Sequence, residues 1–383
     1  MPSVTVNGAS GSVVVNYDSA NYAAAAYNLL TEAGAKGYGS GTVPGYLVTP
    51  GQNVVVPDGT TIIGIGDDTV ISATTPTITN VYDSSTATNQ LVFAGDDVTM
   101  LFGTSVGGGE LLASGNDTIS VASGWMVGAN GEGAMIFASG TDTLFGSGAD
   151  TIVADGNDTV FGGVGSTIYG GANGSLLYVG GSGPDTVEPG AGNMTAFGGS
   201  QQTFDITIGD ATIVAGSGTS TNPDTYTING GSGLTTYFAA DNSSVSFSGN
   251  SSGNLFVSSS TTGNRDTINA SGASGSNVFY AGAGNDSIVG GKGGGSVIWA
   301  GSGNDTLMGG GAGGNIFGFV AGAGGNTVII GDFNSTDKLL LNPGVSIMSQ
   351  TIGASDLTVT LSDSTTIIFT GLQSDITPGE IIT

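Results

Sequence analysis

The chain has 383 residues, 72 of them glycine, with no cysteine, no histidine, and 30 acidic residues against four basic ones, a formal net charge of −26. Glycine without a Gly-X-Y period excludes collagen, and a hydrophobic content of 38% argues against disorder. So acidic a chain repels nucleic acid and anionic membranes, while the missing thiols and imidazoles exclude disulfides, thiol catalysis and the Ser-His-Asp relay.

Residues 1–60 differ in character from the rest of the chain and read as an N-terminal cap or assembly region. Segments 4–6 and 13–15 are strands. Residues 18–35 are the one convincing helix, with Asp18 or Ser19 as N-cap, an alanine-rich body, and Gly34 or Gly37 at the stop. A stack of strands must close its open ends, and capping is the expected job of this region. Met1 is followed by neither a basic nor an apolar leader, so export without a cleaved N-terminal signal is expected. No run approaches the roughly 18 apolar residues of a membrane span, so no membrane insertion is expected.

Residues 61–330 are a repeat. Glycine-rich turns alternate with short apolar strands, and acidic turns recur along the segment. Asp286 and Asp305 are 19 residues apart, Asn326 follows in the same phase, and Ser296 and Asn315 head the strands between. Each unit is too short to bury an apolar face alone, and stacking pairs its strands about 4.8 Å apart. The fold class is all-β: a parallel β-roll or solenoid of about 20-residue coils, two short strands per coil. The aliphatic residue two after the aspartate (Ile119, Val187, Ile288, Leu307) points inward. The residue after it, as at Phe145, Val153, Phe161 and Met308, faces out by strand alternation, the alternative being that wide coils tuck it inward. Residues 331–383 lack glycine turns and read as a β-rich C-terminal cap.

The acidic turns fit a nonapeptide, G-G-x-G-x-D-x-U-x with U aliphatic. Residues 180–188 match fully, and 281–289 and 300–308 match at all but the first position. Asp117, Asp142, Asp150 and Asp158 head partial matches; Asp266 keeps its aspartate with displaced glycines; Asp68 lies in the first acidic turn. A hard cation such as Ca²⁺ takes about six to eight oxygens, and a carboxylate plus turn carbonyls from two stacked coils supply them. The candidate metal ligands are therefore Asp68, Asp117, Asp142, Asp150, Asp158, Asp185, Asp266, Asp286 and Asp305. The alternative is that these aspartates brace their own turns by hydrogen bonds to the backbone.

Residues 60–330 resemble the RTX (repeats-in-toxin) parallel β-roll, and Asp332-Phe333, Asp337-Lys338-Leu339 and 367–377 resemble the closing segment of such proteins. The resemblance implies calcium-driven folding outside the cell, export by type I secretion machinery with an uncleaved C-terminal signal, and an extracellular or cell-surface location. Here alternate turns mostly lack aspartate and the coils are longer than the family's.

No separate catalytic domain is left once repeat and caps are assigned, so no enzyme is expected. The G-x-S-x-G match at 249–253 has no histidine to activate its serine. A carboxylate-pair glycosidase is the weakest alternative, since the good aspartates have structural work to do. An ice-binding array is disfavoured because the outward turn position, at Ser114, Asp155, Ala283 and Ser302, carries no threonine ladder. The expected function is a secreted calcium-binding structural protein that self-assembles as a lattice or fibre, with an adhesin module that does not self-assemble as the alternative.

Overall fold

The structure, a computed structural model, describes residues 2–8, 11–17, 20–35, 46–48, 53–55, 62–65, 79–83, 88–103, 107–320 and 324–383. Asp68, Asp18 and Ser19 lie outside the described residues. The described chain is nearly all β, with one α-helix, Ala20–Ala35. It divides into two compact units, 1–193 and 194–383.

In unit one, strands alternate between two parallel sheets. Sheet 1a runs from Asn53–Val55 through Val98–Phe102, Thr118–Val121, Met135–Gly140 and Thr151–Gly156 to Thr186–Glu188. Sheet 1b runs from Tyr46–Val48 through Thr88–Ala94, Trp125–Asn130 and Asp158–Phe161 to Leu176–Gly180. Parallel pairing thus starts ahead of residue 60. The register superimposes like on like: Ile119, Ile136, Ile152, Ile168 and Val187 form one fully buried column, faced by Leu111, Val127, Leu144 and Val160. A thin core that each coil extends by one aliphatic residue per sheet is the solenoid solution to burying short strands.

The described N-terminal residues pack onto sheet 1b. Ser3–Gly8 and Gly11–Asn16 form an antiparallel hairpin. With the helix it packs into one cluster (Val4, Val6, Val15, Tyr17, Ala23, Ala26) against Leu47, Leu91, Phe93 and Leu112 of sheet 1b. Tyr17 also donates its hydroxyl to the Leu112 carbonyl, 3.4 Å away. Leu47, Gly64, Phe93, Leu112 and Gly128 share one outward column of sheet 1b. A Cβ on Gly128 would sit 3.0 Å from Leu112 and 3.3 Å from Tyr22. Hairpin and helix therefore cover the outer face of the first coils.

In unit two, sheet 2a contains Gln202–Ile206, Asp224–Gly230, Ser243–Ser248, Thr267–Asn269, Ser287–Val289, Thr306–Met308 and Thr327–Ile330. Sheet 2b contains Met194–Gly198, Ala211–Val214, Thr235–Phe238, Leu255–Val257, Val278–Tyr280, Val297–Ala300, Ile316–Phe319 and Lys338–Leu341. The core is more aromatic here: Phe256 and Phe279 stack at 5.2 Å and Phe247 meets Phe256 at 4.9 Å. The end of the chain forms an antiparallel meander, Ile347–Ile352, Asp356–Leu361 and Thr366–Thr370, whose last strand rejoins the solenoid beside Thr327–Ile330.

Glycine permits the coils to stack. A Cβ on Gly303 would lie 1.5 Å from the Gly284 carbonyl oxygen, and one on Gly192 would lie 1.6 Å from that of Gly174. These turns contact each other backbone to backbone, which any side chain would prevent.

Candidate functional site: an inward ladder of aspartates and asparagines

On many of the strands the residue two before the inward aliphatic is itself inward and polar. Asp117, Asp150 and Asp185 hold this position in sheet 1a, Asp142 and Asp158 in sheet 1b, and Asp266, Asp286 and Asp305 in sheet 2a; all are at most 4% exposed. Within each unit the described candidate aspartates lie in coil-to-coil columns: Asp142 is next to Asp158, and Asp266, Asp286 and Asp305 are consecutive, while Ala134 and Ser166 separate Asp117, Asp150 and Asp185.

Their oxygens meet the backbone. One oxygen reaches back to the amide at the same position of the preceding coil. Asp117 accepts from Val98 N–H at 2.7 Å, Asp142 from Trp125 at 2.8 Å, Asp158 from Asp142 at 2.8 Å and Asp185 from Ser166 at 2.8 Å. Asp150 does the same with Ala134, Asp266 with Ser243, Asp286 with Asp266 and Asp305 with Asp286, each at 3.0 Å. The second oxygen commonly braces the residue's own turn: Asp117 from Ser114, Asp150 from Ser147, Asp266 from Ser259 and Asp286 from Gly282. In Asp185 it accepts the Tyr178 hydroxyl at 2.6 Å.

Sheet 2b makes the same bonds mostly with neutral side chains. Asn254 accepts from Thr235 N–H at 2.8 Å, Ser296 from Asn277 at 3.3 Å and Asn315 from Ser296 at 3.0 Å, and Asp337 ends the column on Asn315 at 2.7 Å. Asn254 and Asn277 were not singled out in the sequence; the signal was an asparagine directly ahead of a three-residue apolar strand. Asn326 is not the next member after Asp305. Thr306 pairs with Ile329, which puts buried Val328 opposite Asp305.

Burial dominates the electrostatics. Loss of solvent raises the pKa of every described candidate aspartate, and the accepted N–H bonds only partly offset it. Asp158 is pushed up to about 6, with Asp142 and Asp155 adding repulsion, and Asp286 to about 7, between Asp266 and Asp305.

Three carboxylates have capacity left. Oδ2 of Asp142, Asp158 and Asp305 is buried with no hydrogen-bond partner. The amides of Gly124 and Gly301 lower the pKa of Asp142 and Asp305 without closing such a bond. Among the described residues no three acidic side chains converge as a ready metal cage. A calcium ion would therefore have to be completed by turn carbonyls, and of the described candidates these three fit it best. Asp117, Asp150, Asp185, Asp266 and Asp286 already use both oxygens on the protein's own donors.

The outward residues differ between the sheets of unit two. Sheet 2a presents hydroxyls and amides on its earlier strands, such as Thr225, Thr227, Ser244, Ser246, Thr267 and Asn269, and Val289, Met308 and Ile329 on its later ones. Sheet 2b presents Phe197, Val214, Phe238, Val257, Tyr280 and Trp299 in one column, with Leu255, Val278, Val297 and Ile316 beside it. In unit one, Phe145 and Phe161 likewise stack on the outer face at 4.6 Å.

No family model matches the chain, and no curated protein matches it. Among solved structures, the crystal structure of extracellular lipase LipA from Serratia marcescens is similar at a TM-score of 0.28 and 19% identity, over 55% of this chain and 40% of that one. The chain spans less than half the length of that neighbour. The chain is a parallel β-solenoid. That much rests on its own register: in both units the solenoid strands pair in parallel with the strand one coil away, with coil steps close to 19 residues in the 277–316 segment.

Proposed function

We propose that this chain is an extracellular structural solenoid, without catalytic activity, that associates side by side with copies of itself and is stabilised by calcium. The observation that carries the reading is the outer face of sheet 2b. An apolar strip of this extent that no described element covers marks an interaction surface. The chain offers no imidazole or thiol for catalysis.

Calcium enters the reading through charge. Net charge −26 opposes both folding and association, and divalent ions would relieve it. Asp142, Asp158 and Asp305 would hold such ions through their free oxygens, and the bound ion would replace the proton that burial otherwise favours there. RTX-like features at the C-terminus favour the type I secretion route. The test is sedimentation of the full chain with millimolar calcium and with chelator. Concentration-dependent association that calcium strengthens is expected, and a single monomeric species throughout would refute the reading.

A further inference from the structure

Side-by-side association leaves open which surface meets which partner; resting on that proposed function, we propose that the outer face of sheet 2b is the contact, and that its occupant is the same face of a second copy. Three observations converge. First, the chain itself already treats such a face as something to be covered. In unit one, Phe93 and Leu112 of the outward column of sheet 1b lie beneath the N-terminal hairpin and helix. In sheet 2b no described element plays that part: Phe197, Phe238 and Tyr280 are 44%, 39% and 41% exposed.

Second, charge is excluded from the face. From Thr195 to Leu340 its outward positions include no acidic residue, and Lys338 at one end is the single charge, in a chain with 30 acidic residues. Two copies approaching by any acid-bearing surface would repel; by this one they need not.

Third, the face is its own complement. Side chains recur at the strand spacing, about 4.8 Å, over eight strands, a strip about 35 Å long. Ring planes lie parallel along it, Tyr280 on Trp299 at 6.2 Å and 4°. A partner sheet of identical repeat keeps its ridges in step with these grooves along the whole strip, as two aligned sheets do in a sandwich. The strip is at the small end for a stable protein interface, so association should depend on concentration.

Tyr280 lies on the fifth of the eight strands, near the middle, where a two-fold pair brings like residues together. The sequence has no cysteine, so Tyr280→Cys and Asn269→Cys each carry a single thiol, one on each sheet. Under mild oxidation of the full chain in calcium, Y280C is expected to form disulfide-linked dimers and N269C to form none. Tyr280→Glu should weaken association roughly a hundredfold, because each contact would bury an unpaired carboxylate, while Asn269→Glu leaves it unchanged. Circular dichroism of all four variants checks that the fold is kept. If wild type associates but Y280E does so equally, or if N269C cross-links as well as Y280C, this face is the wrong one and the self-association reading stands. If wild type never associates, that reading falls and takes the assigned face with it.

Discussion

Asp158 shows what a ladder position demands of one side chain. Its Oδ1 takes the Asp142 amide while its Oδ2 is buried without a partner, and burial raises its pKa to about 6. The unfolded value is about 3.9. Because the folded value is the higher one, the stabilisation from protonation is complete below pH about 4 and is lost as pH rises through about 6. For Asp286 the loss extends to about 7. Without divalent ions, thermal stability should therefore fall from pH 4 to 7. Asp158→Asn keeps the acceptor for the Asp142 amide and removes the charge, as Asn254 and Asn315 already do in sheet 2b. We expect D158N to melt higher than wild type at pH 8 in chelator, by roughly 1–3 kcal/mol of stability. Calcium should narrow that gap by raising wild type more than D158N, which keeps Asp142 and Asp305. Asp117→Asn should leave the calcium response intact, because both oxygens of Asp117 are already used by Val98 and Ser114.

At the scale of elements, turn and strand fail in different ways. Gly303→Ala puts a methyl 1.5 Å from the Gly284 carbonyl, so the two coils must separate. Gly344 has φ +96 but nothing within 4 Å of the Cβ position, so alanine there costs only backbone strain of about 1 kcal/mol. Thermal melts should rank G303A far below G344A. Phe256→Ala should cost about 3–5 kcal/mol, as it opens a hole between Phe247 and Phe279. Ala26→Asp, at a position with no exposure, should lift the helix from sheet 1b and raise binding of a hydrophobic dye while β content persists.

For the molecule as a whole, the sequence is most informative where one residue has one consequence. Ile119, Val187, Ile288 and Leu307 are fully buried, as their spacing from the aspartate demands, and Met308, the next residue along, is 38% exposed. The parallel roll with two strands per coil comes from that alternation. The ladder's bonding is not legible in the same way. A carboxylate ahead of a strand suits a shared cation and a backbone amide alike, and only the neighbouring coil's position distinguishes them. Register suffers where turns change length: Asn326 keeps the phase by counting, yet Val328 occupies the column. The N-terminal region reads as a cap or assembly region, but nothing local in 4–6, 13–15 or the helix says which surface they meet. That surface is built by Leu47, Phe93 and Leu112, remote in sequence.

The ladder bonds all lean one way. Asp286 serves the amide of Asp266, Asp305 serves that of Asp286, and Asp337 serves that of Asn315, so the entry amides of these coils wait for an acceptor carried by the coil after. Such a stack is vectorial: the earlier turn is finished only when the later one arrives. A chain ended just after Asn315 would strand that residue's amide at a site 1% exposed. Nibbling from the C-terminus should accordingly unzip coils one after another, each loss undoing the lock on its predecessor.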